Sequence, residues 1–185
     1  MDNFFRLAKG VNFNPLLVAI NRQPELWDQN TLRTKHPNTA HSAVSDIWLM
    51  FNDVAGNPYM DELVDKVSND IIVKPYPAFE KLPQARPLIF DLMRTVEGVT
   101  LGRVIITKLP PGKKITPHVD GGAPATYYKR YQMALQSLPG ALFTIGDETV
   151  QFESGEVWLI DNKKEHSVVN NSRDDRIVMI VDIRS

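Results

Sequence analysis

Three side chains in the C-terminal half of the chain could together hold a metal ion. His118 and Asp120 form a His-x-Asp motif, and residues two apart on a β-strand project from the same face. His166 is the only other histidine in this half. Two histidines and one carboxylate form the facial triad of non-haem iron(II) oxygenases, which leaves positions open for a 2-oxoacid and dioxygen.

The His-x-Asp motif alone is not specific, since a chain with four histidines often contains it by chance. The alternative is a surface histidine near a carboxylate in a turn. Arg176 favours the metal site because it follows His166 at the start of an aliphatic strand. A buried 2-oxoglutarate carboxylate needs a fixed cation, and a guanidinium offers bidentate geometry. A solvated charge at a strand end is the ordinary alternative for Arg176.

The composition narrows the possible chemistry. The 185-residue chain has no cysteine, which excludes disulfides, thiolate nucleophiles and sulfur-based zinc sites. Its net charge is −1 and its pI about 6.4, so no global charge indicates nucleic acid or anionic membranes as partners. The apolar run Leu16–Ile20 is too short for a signal peptide or a membrane span. We therefore expect a cytoplasmic protein.

The local pattern changes near residue 100. Before it, helical spacing predicts helices over 15–27, 58–67 and 87–96, with a proline-rich loop over 74–87. After it, short runs rich in β-branched and aromatic residues alternate with turn residues. The predicted strands are 102–109, 114–119, 130–137, 140–146, 148–153, 156–160, 165–170 and 175–183.

Eight short strands without room for crossover helices predict an antiparallel jelly roll, a mainly β fold. We expect one domain over residues 1–185. In it, a helical N-terminal half (1–100) buttresses a double-stranded β-helix core (101–185) that carries the metal site.

The segment Gly102–Ser185 resembles the aspartyl/asparaginyl β-hydroxylase family of 2-oxoglutarate/Fe(II) dioxygenases. The resemblance extends upstream to bacterial members through Trp27…Leu32-Arg33…His41…Asp46-Ile47-Trp48-Leu49. The C-terminal motifs are Thr107…Pro111-Gly112…Pro117-His118-Val119-Asp120, Lys129–Leu135, Gly155-Glu156-Val157…Asp161…Glu165-His166…Arg176 and Ile180-Val181-Asp182.

The resemblance implies a double-stranded β-helix, iron(II) as metal, and 2-oxoglutarate and dioxygen as cosubstrates. It makes His118, Asp120 and His166 the iron ligands. Arg176 becomes the partner of the distal carboxylate of 2-oxoglutarate. Animal members have glycine where this chain has Asp120, so here the triad is complete.

Three further positions look like cosubstrate contacts by resemblance. Thr107 corresponds to a hydroxyl residue near the distal carboxylate. Arg130 and Gln132 correspond to an Arg-x-His pair, with glutamine replacing histidine. Strand periodicity agrees, because Thr107 shares a face with Arg103, and Arg130 shares one with Gln132.

The expected function is hydroxylation of an aspartyl- or asparaginyl-type residue or of a small amino-acid-like molecule. The substrate would be a small molecule, a peptide or a protein. A nucleotide or nucleic-acid oxygenase of the same cofactor class is one alternative, and a non-catalytic cupin-like binding module is another. Loop 121–128 could form a lid or be a plain surface loop. Arg33, His36 and His41 could reach the mouth of the site, or they could be ordinary loop residues, which is the interpretation that we prefer.

Overall fold

The computed structural model describes residues 2–54 and 61–185. Six α-helices lie in these segments: α1 Asn14–Asn21, α2 Leu32–Lys35, α3 Asp61–Asn69, α4 Pro77–Lys81, α5 Ala85–Thr95 and α6 Gly122–Tyr127. The strands are β1 Phe4–Ala8, β2 Ser45–Phe51, β3 Lys74–Pro75, β4 Thr100–Leu109, β5 Lys114–His118, β6 Lys129–Gln136, β7 Ala141–Ile145, β8 Glu148–Gln151, β9 Val157–Ile160, β10 His166–Asn170 and β11 Arg176–Arg184.

The strands form two antiparallel sheets. The larger has the order β1-β9-β6-β11-β4-β2-β3, and the smaller has the order β5-β10-β7-β8. Strands β4 to β11 thus pass between the sheets in the topology of a double-stranded β-helix. The predicted mainly β, jelly-roll architecture is confirmed, and each predicted strand of the core agrees with an observed one to within two residues.

The two larger of the three buried apolar clusters flank the larger sheet. One fills the space between the sheets and includes Phe4, Phe143, Phe152 and Trp158. The other joins the outer face of the larger sheet to α1, α4 and α5. The prediction that helices pack on the outside of the β-structure is correct for these three helices.

The N-terminal half is less helical than predicted. Strand β2 extends the larger sheet by pairing with β4, and β1 pairs with β9 at its other edge. The predicted helix 15–27 is α1 followed by a 3₁₀ turn at Pro24–Leu26, and the start of the predicted helix 58–67 lies outside the described residues. The predicted loop 74–87 contains β3, α4 and the first residues of α5.

Segment 121–128 is mostly helix α6 rather than a loop, which corrects that prediction. The helix packs so closely on α3 that a Cβ at Gly122 would clash with the backbone oxygen of Ser68. Gly122 also has a φ of +78°, a conformation that favours glycine. Glycine at this position therefore allows α6 to lie directly against α3, beside the candidate site.

Within residues 2–54 and 61–185, no helix is long and apolar enough to cross a membrane.

Candidate metal centre and adjoining cavities

The three predicted ligands come together where β5 and β10 pair. His118 ends β5, His166 begins β10, and the two residues are opposite each other in the antiparallel register. Asp120 follows β5, and its Oδ1 lies 3.7 Å from His118 Nε2. Its Oδ2 lies 3.9 Å from His166 Nε2. One ligand atom from each residue lies within 4.8 Å of the other two, so one ion could contact all three.

Hydrogen bonds fix which ring nitrogen of each histidine is available. His118 Nδ1 lies 2.8 Å from Thr116 O, and His166 Nδ1 lies 2.9 Å from Lys164 O. Because a carbonyl only accepts, each Nδ1 is the donor and each neutral ring keeps its lone pair on Nε2. His118 Nε2 is buried without a hydrogen-bond partner. This arrangement suits a metal ligand whose second nitrogen is held by the backbone.

Asp120 is oriented by two donors. Asn162 Nδ2 donates to its Oδ2 at 2.9 Å, and Arg130 Nη1 donates to the same oxygen. Arg130 is in turn held by Asp182 through two hydrogen bonds of 2.8 Å each. The predicted cosubstrate residue Arg130 therefore already has two carboxylate partners, one of them a candidate ligand.

The electrostatics favour the protonation states that a metal requires. Burial raises the pKa of Asp120, but Arg130, His166 and Asn162 outweigh it and hold the pKa below its usual value. Burial lowers the pKa of His166, although Asp120 opposes this shift. Asp120 is thus ionised and His166 neutral near pH 7, as ligands must be.

Arg176 lies deep between the sheets, where its side chain is 2% exposed. Its Nη2 donates to Gln132 Oε1 at 3.2 Å, and its guanidinium lies 5.7 Å from the ring centres of Phe143 and Phe152. No carboxylate of the described residues lies within ion-pair distance of it. Burial lowers the pKa of Arg176 to about 10, so it is charged at neutral pH and lacks an anion.

Thr107 lies on the neighbouring strand β4 and is also buried. Its Oγ1 accepts a hydrogen bond from Arg33 Nη2 at 3.2 Å. Arg33 is itself held by Asp46 in a bidentate ion pair, with distances of 2.8 and 2.7 Å. A small cavity of about 30 Å³ is lined by Thr107, Gln132 and Arg176 together with the three candidate ligands.

A larger cavity of about 380 Å³ adjoins the small one, and both are lined by Arg33, His41, His118, Asp120 and Arg130. The candidate metal centre therefore lies between a narrow inner space and a wider outer one. At about 10–15 Å³ for each water molecule, the inner space admits only a few waters. A five-carbon dicarboxylate can therefore bind only if the inner cavity widens or if part of the ligand extends into the outer cavity.

The sequence interpretation did not assign several residues of this site. Arg33 and His41 line both cavities, so the preferred interpretation as ordinary loop residues is wrong and the alternative, that they reach the site, is correct. The His41 ring centre lies 4.7 Å from that of His118. Burial, followed by the charge of Arg33, lowers the pKa of His41. Asn162 and Asp182 stand within or beside the quoted motifs, but nothing in their local pattern indicated that they would orient Asp120.

A sequence model of the family described as "Aspartyl/Asparaginyl beta-hydroxylase" matches residues 22–185. The chain belongs to this family. It is accordingly a 2-oxoglutarate/Fe(II)-dependent oxygenase, with iron(II) as cofactor and with 2-oxoglutarate and dioxygen as cosubstrates. A comparison with curated protein sequences found no match.

Solved structures share the fold at low sequence identity. A Trichoplax adhaerens prolyl hydroxylase bound to a hypoxia-inducible-factor peptide fragment has a TM-score of 0.64 at 7% identity, covering 100% of this chain and 84% of that one. A Burkholderia pseudomallei 2OG-Fe(II) oxygenase has a TM-score of 0.56 at 13% identity, with 98% and 84% coverage. A collagen prolyl hydroxylase of Paramecium Bursaria Chlorella virus-1, in complex with 2OG, has a TM-score of 0.53 at 11% identity, with 100% and 97% coverage.

Proposed function

We propose that this family member hydroxylates an aspartyl- or asparaginyl-type residue or a small amino-acid-like molecule. Its cosubstrate 2-oxoglutarate would be decarboxylated to succinate and carbon dioxide. The observation that carries the proposal is the position of the His118–Asp120–His166 group beside a buried Arg176 that lacks a described carboxylate partner. A metal ligand set and an unbalanced cation in one cavity match a metal-chelating dicarboxylate.

In this proposal His118, Asp120 and His166 hold iron(II). When bound, iron and 2-oxoglutarate supply the oxidising chemistry that activates dioxygen toward a substrate C–H bond. Asn162 and Arg130 keep the Asp120 carboxylate turned toward the histidines. Backbone carbonyls hold both rings with Nε2 toward the ion.

Arg176 would bind the distal carboxylate of 2-oxoglutarate. Its guanidinium is positioned by Gln132 and by the two phenylalanine rings, so little conformational freedom remains to be lost on binding. Thr107 would add a hydroxyl donor, because its bond with Arg33 uses the Thr107 oxygen only as an acceptor. The apolar side chains Val178 and Ile180 line the same space and make part of its wall apolar.

The test is anaerobic addition of Fe(II) and 2-oxoglutarate to the metal-free protein. We expect a weak visible charge-transfer band, and succinate once oxygen and a substrate are supplied. His118→Ala and His166→Ala should lose the band. The matched control is His36→Ala, which removes a partly buried histidine of the larger cavity outside the ligand group and should keep the same iron affinity.

Absence of the band in wild type, together with unchanged iron binding in His118→Ala, would overturn the proposed function and favour a non-catalytic binding module. A screen of amino acids, peptides and nucleotides tests the substrate class. If only nucleotides stimulate succinate release, the substrate is a nucleotide and the proposed amino-acid-type substrate is wrong.

A further inference from the structure

The outer cavity contains a second arginine whose charge is not balanced. Three arginines line it, Arg33, Arg103 and Arg130. Arg33 is paired with Asp46, and Arg130 with Asp120 and Asp182. Arg103, on β4, has no described carboxylate within ion-pair distance. Burial lowers the pKa of Arg103 to about 10, so it too is charged at neutral pH.

The guanidinium of Arg103 is held in place by neutral groups. Nε and Nη2 donate to Asn52 Oδ1 at 2.9 and 2.7 Å, and Nη2 also donates to Val67 O. The ring of Phe51 lies 4.8 Å from the guanidinium carbon. The described residues supply no hydrogen-bond partner for Nη1, so the N–H groups of Nη1 are available to a ligand.

Among the described residues, the side-chain oxygen of Asn52 accepts hydrogen bonds from Arg103 alone. Asn52 is fully buried, and its Nδ2 donates to the backbone oxygens of Asp70 and Ile72. The amide is therefore saturated on both sides and cannot rotate without losing hydrogen bonds. A solvated surface arginine needs no such support, whereas an anion-binding arginine gains from pre-organisation.

The position of Arg103 fits a substrate that reaches the metal centre. On the larger sheet, β4, β11 and β6 are adjacent, and Asp182 on β11 pairs with Arg130 on β6. Asp182 also lies near enough to Arg103 to influence it electrostatically. Arg103 thus lies about 10 Å, or two strand spacings, from Arg130, which contacts the candidate ligand Asp120.

We propose that the outer cavity takes a substrate that carries a carboxylate, and that Arg103 Nη1 binds this carboxylate while the carbon to be oxidised faces the metal centre. One unbalanced charge and one open edge match a monoanion such as a carboxylate better than a dianionic phosphate. Arg103 is then a specificity-determining residue. This inference rests on the proposed function.

Four matched probes test the inference on the enzyme loaded with Fe(II) and 2-oxoglutarate: L-aspartate, L-asparagine, L-isoasparagine (the α-amide of L-aspartate) and L-asparaginamide. All four keep the amine. Aspartate has both carboxylates, asparagine only the α-carboxylate, isoasparagine only the β-carboxylate, and asparaginamide neither. Anaerobic binding and succinate release are measured for wild type, Arg103→Gln and Arg103→Lys. The charge-matched control is Lys113→Gln, which removes an exposed cation outside both cavities.

We expect wild type to prefer at least one carboxylate probe over asparaginamide by about 10- to 100-fold, the range for a hydrogen bond to a charged group. Arg103→Gln should abolish this preference by raising the KM of the acid probe alone. Arg103→Lys should restore part of it, and Lys113→Gln should retain all of it. A structural role for Arg103 would instead weaken all four probes alike and lower the thermal stability.

Equal binding of the four probes by wild type overturns the inference, as does a preference that persists in Arg103→Gln. So does a wild-type enzyme that binds none of them while its Fe(II)–2-oxoglutarate band is intact. These outcomes leave the proposed function standing. Failure of the proposed function has a separate signature, which is absence of that band in wild type.

Discussion

The two ends of the cavity system differ in how an arginine is held. At the inner end, Arg176 lies between the sheets against two aromatic rings and has one neutral partner, Gln132. At the outer end, Arg103 is held by Asn52, Val67 O and the ring of Phe51. Between them, Arg130 is balanced by two carboxylates. Among the described arginines that line the two cavities, those without a carboxylate partner lie where we propose that an anionic ligand binds, and the charge of Arg130 is neutralised where it orients a metal ligand.

One strand links the two ends. The inward-facing residues of β11 begin with Arg176 and end with Asp182, which lies beside Arg130 and near Arg103. Six residues of an extended strand span about 20 Å. The two proposed anion sites therefore lie on either side of the candidate metal centre, and each can be altered separately.

The largest effect is expected at the inner end. Arg176→Met should weaken 2-oxoglutarate binding by at least about 100-fold, because two charge-assisted hydrogen bonds are lost. The same change should stabilise the cosubstrate-free protein by about 1–3 kcal/mol, since it removes an unpaired buried charge. Urea unfolding and 2-oxoglutarate titration measure the two effects. The exposed Arg173→Met is the control, and a destabilised Arg176→Met protein would contradict the account.

Asp182→Asn tests the balanced centre between the two ends. Removing one partner of a buried ion pair leaves Arg130 partly uncompensated, so we expect a loss of about 3 kcal/mol in the free energy of unfolding. The exposed Asp147→Asn in the β7–β8 turn should change stability by less than about 0.5 kcal/mol. If the two variants unfold at the same urea concentration, the Arg130–Asp182 ion pair does not contribute to the stability of the fold.

Asn162→Ala should weaken iron(II) binding about 10- to 100-fold, the usual cost of losing a group that orients a metal ligand. Competition with a chelator measures the iron affinity. The exposed Asn171→Ala is the matched control. An unchanged affinity in Asn162→Ala would show that Arg130 alone fixes Asp120.

The smallest effect is expected for Thr107→Val. Loss of one neutral hydroxyl should raise the KM for 2-oxoglutarate about 3- to 10-fold and leave the iron affinity unchanged. The surface variant Thr149→Val serves as control. A change in iron affinity with no change in the KM for 2-oxoglutarate would show that Thr107 does not bind the cosubstrate.

The strands of the core could be predicted because each carries its own pattern. The segment around Arg130–Leu135, for example, alternates and is bounded by turn residues, and it becomes β6. The metal ligands could be predicted because His118 and Asp120 are two apart and the chain offers few other histidines. Local spacing was sufficient for the strands and for the His118–Asp120 pair, whereas the third ligand depended on the small number of histidines and on the position of Arg176.

The rest depends on contacts between distant parts of the chain. Strand β2 is not predicted from the sequence because residues 47–51 are apolar on both faces, and such a run does not distinguish a buried strand from a buried helix. It is fixed by pairing with β4. The chain of contacts from Asp182 through Arg130 to Asp120 crosses three segments, and no local pattern encodes it. The position of His41 beside His118 likewise depends on a contact between distant residues.

The central claim is that Arg176 and Arg103 serve different anions on opposite sides of one metal centre. Its most direct test is an anaerobic titration of 2-oxoglutarate into Fe(II)-loaded wild type, Arg176→Gln and Arg103→Gln, followed by the visible charge-transfer band. We predict at least about 100-fold weaker binding in Arg176→Gln and an affinity within about twofold of wild type in Arg103→Gln. Equal weakening in both variants, or weakening confined to Arg103→Gln, would contradict the claim.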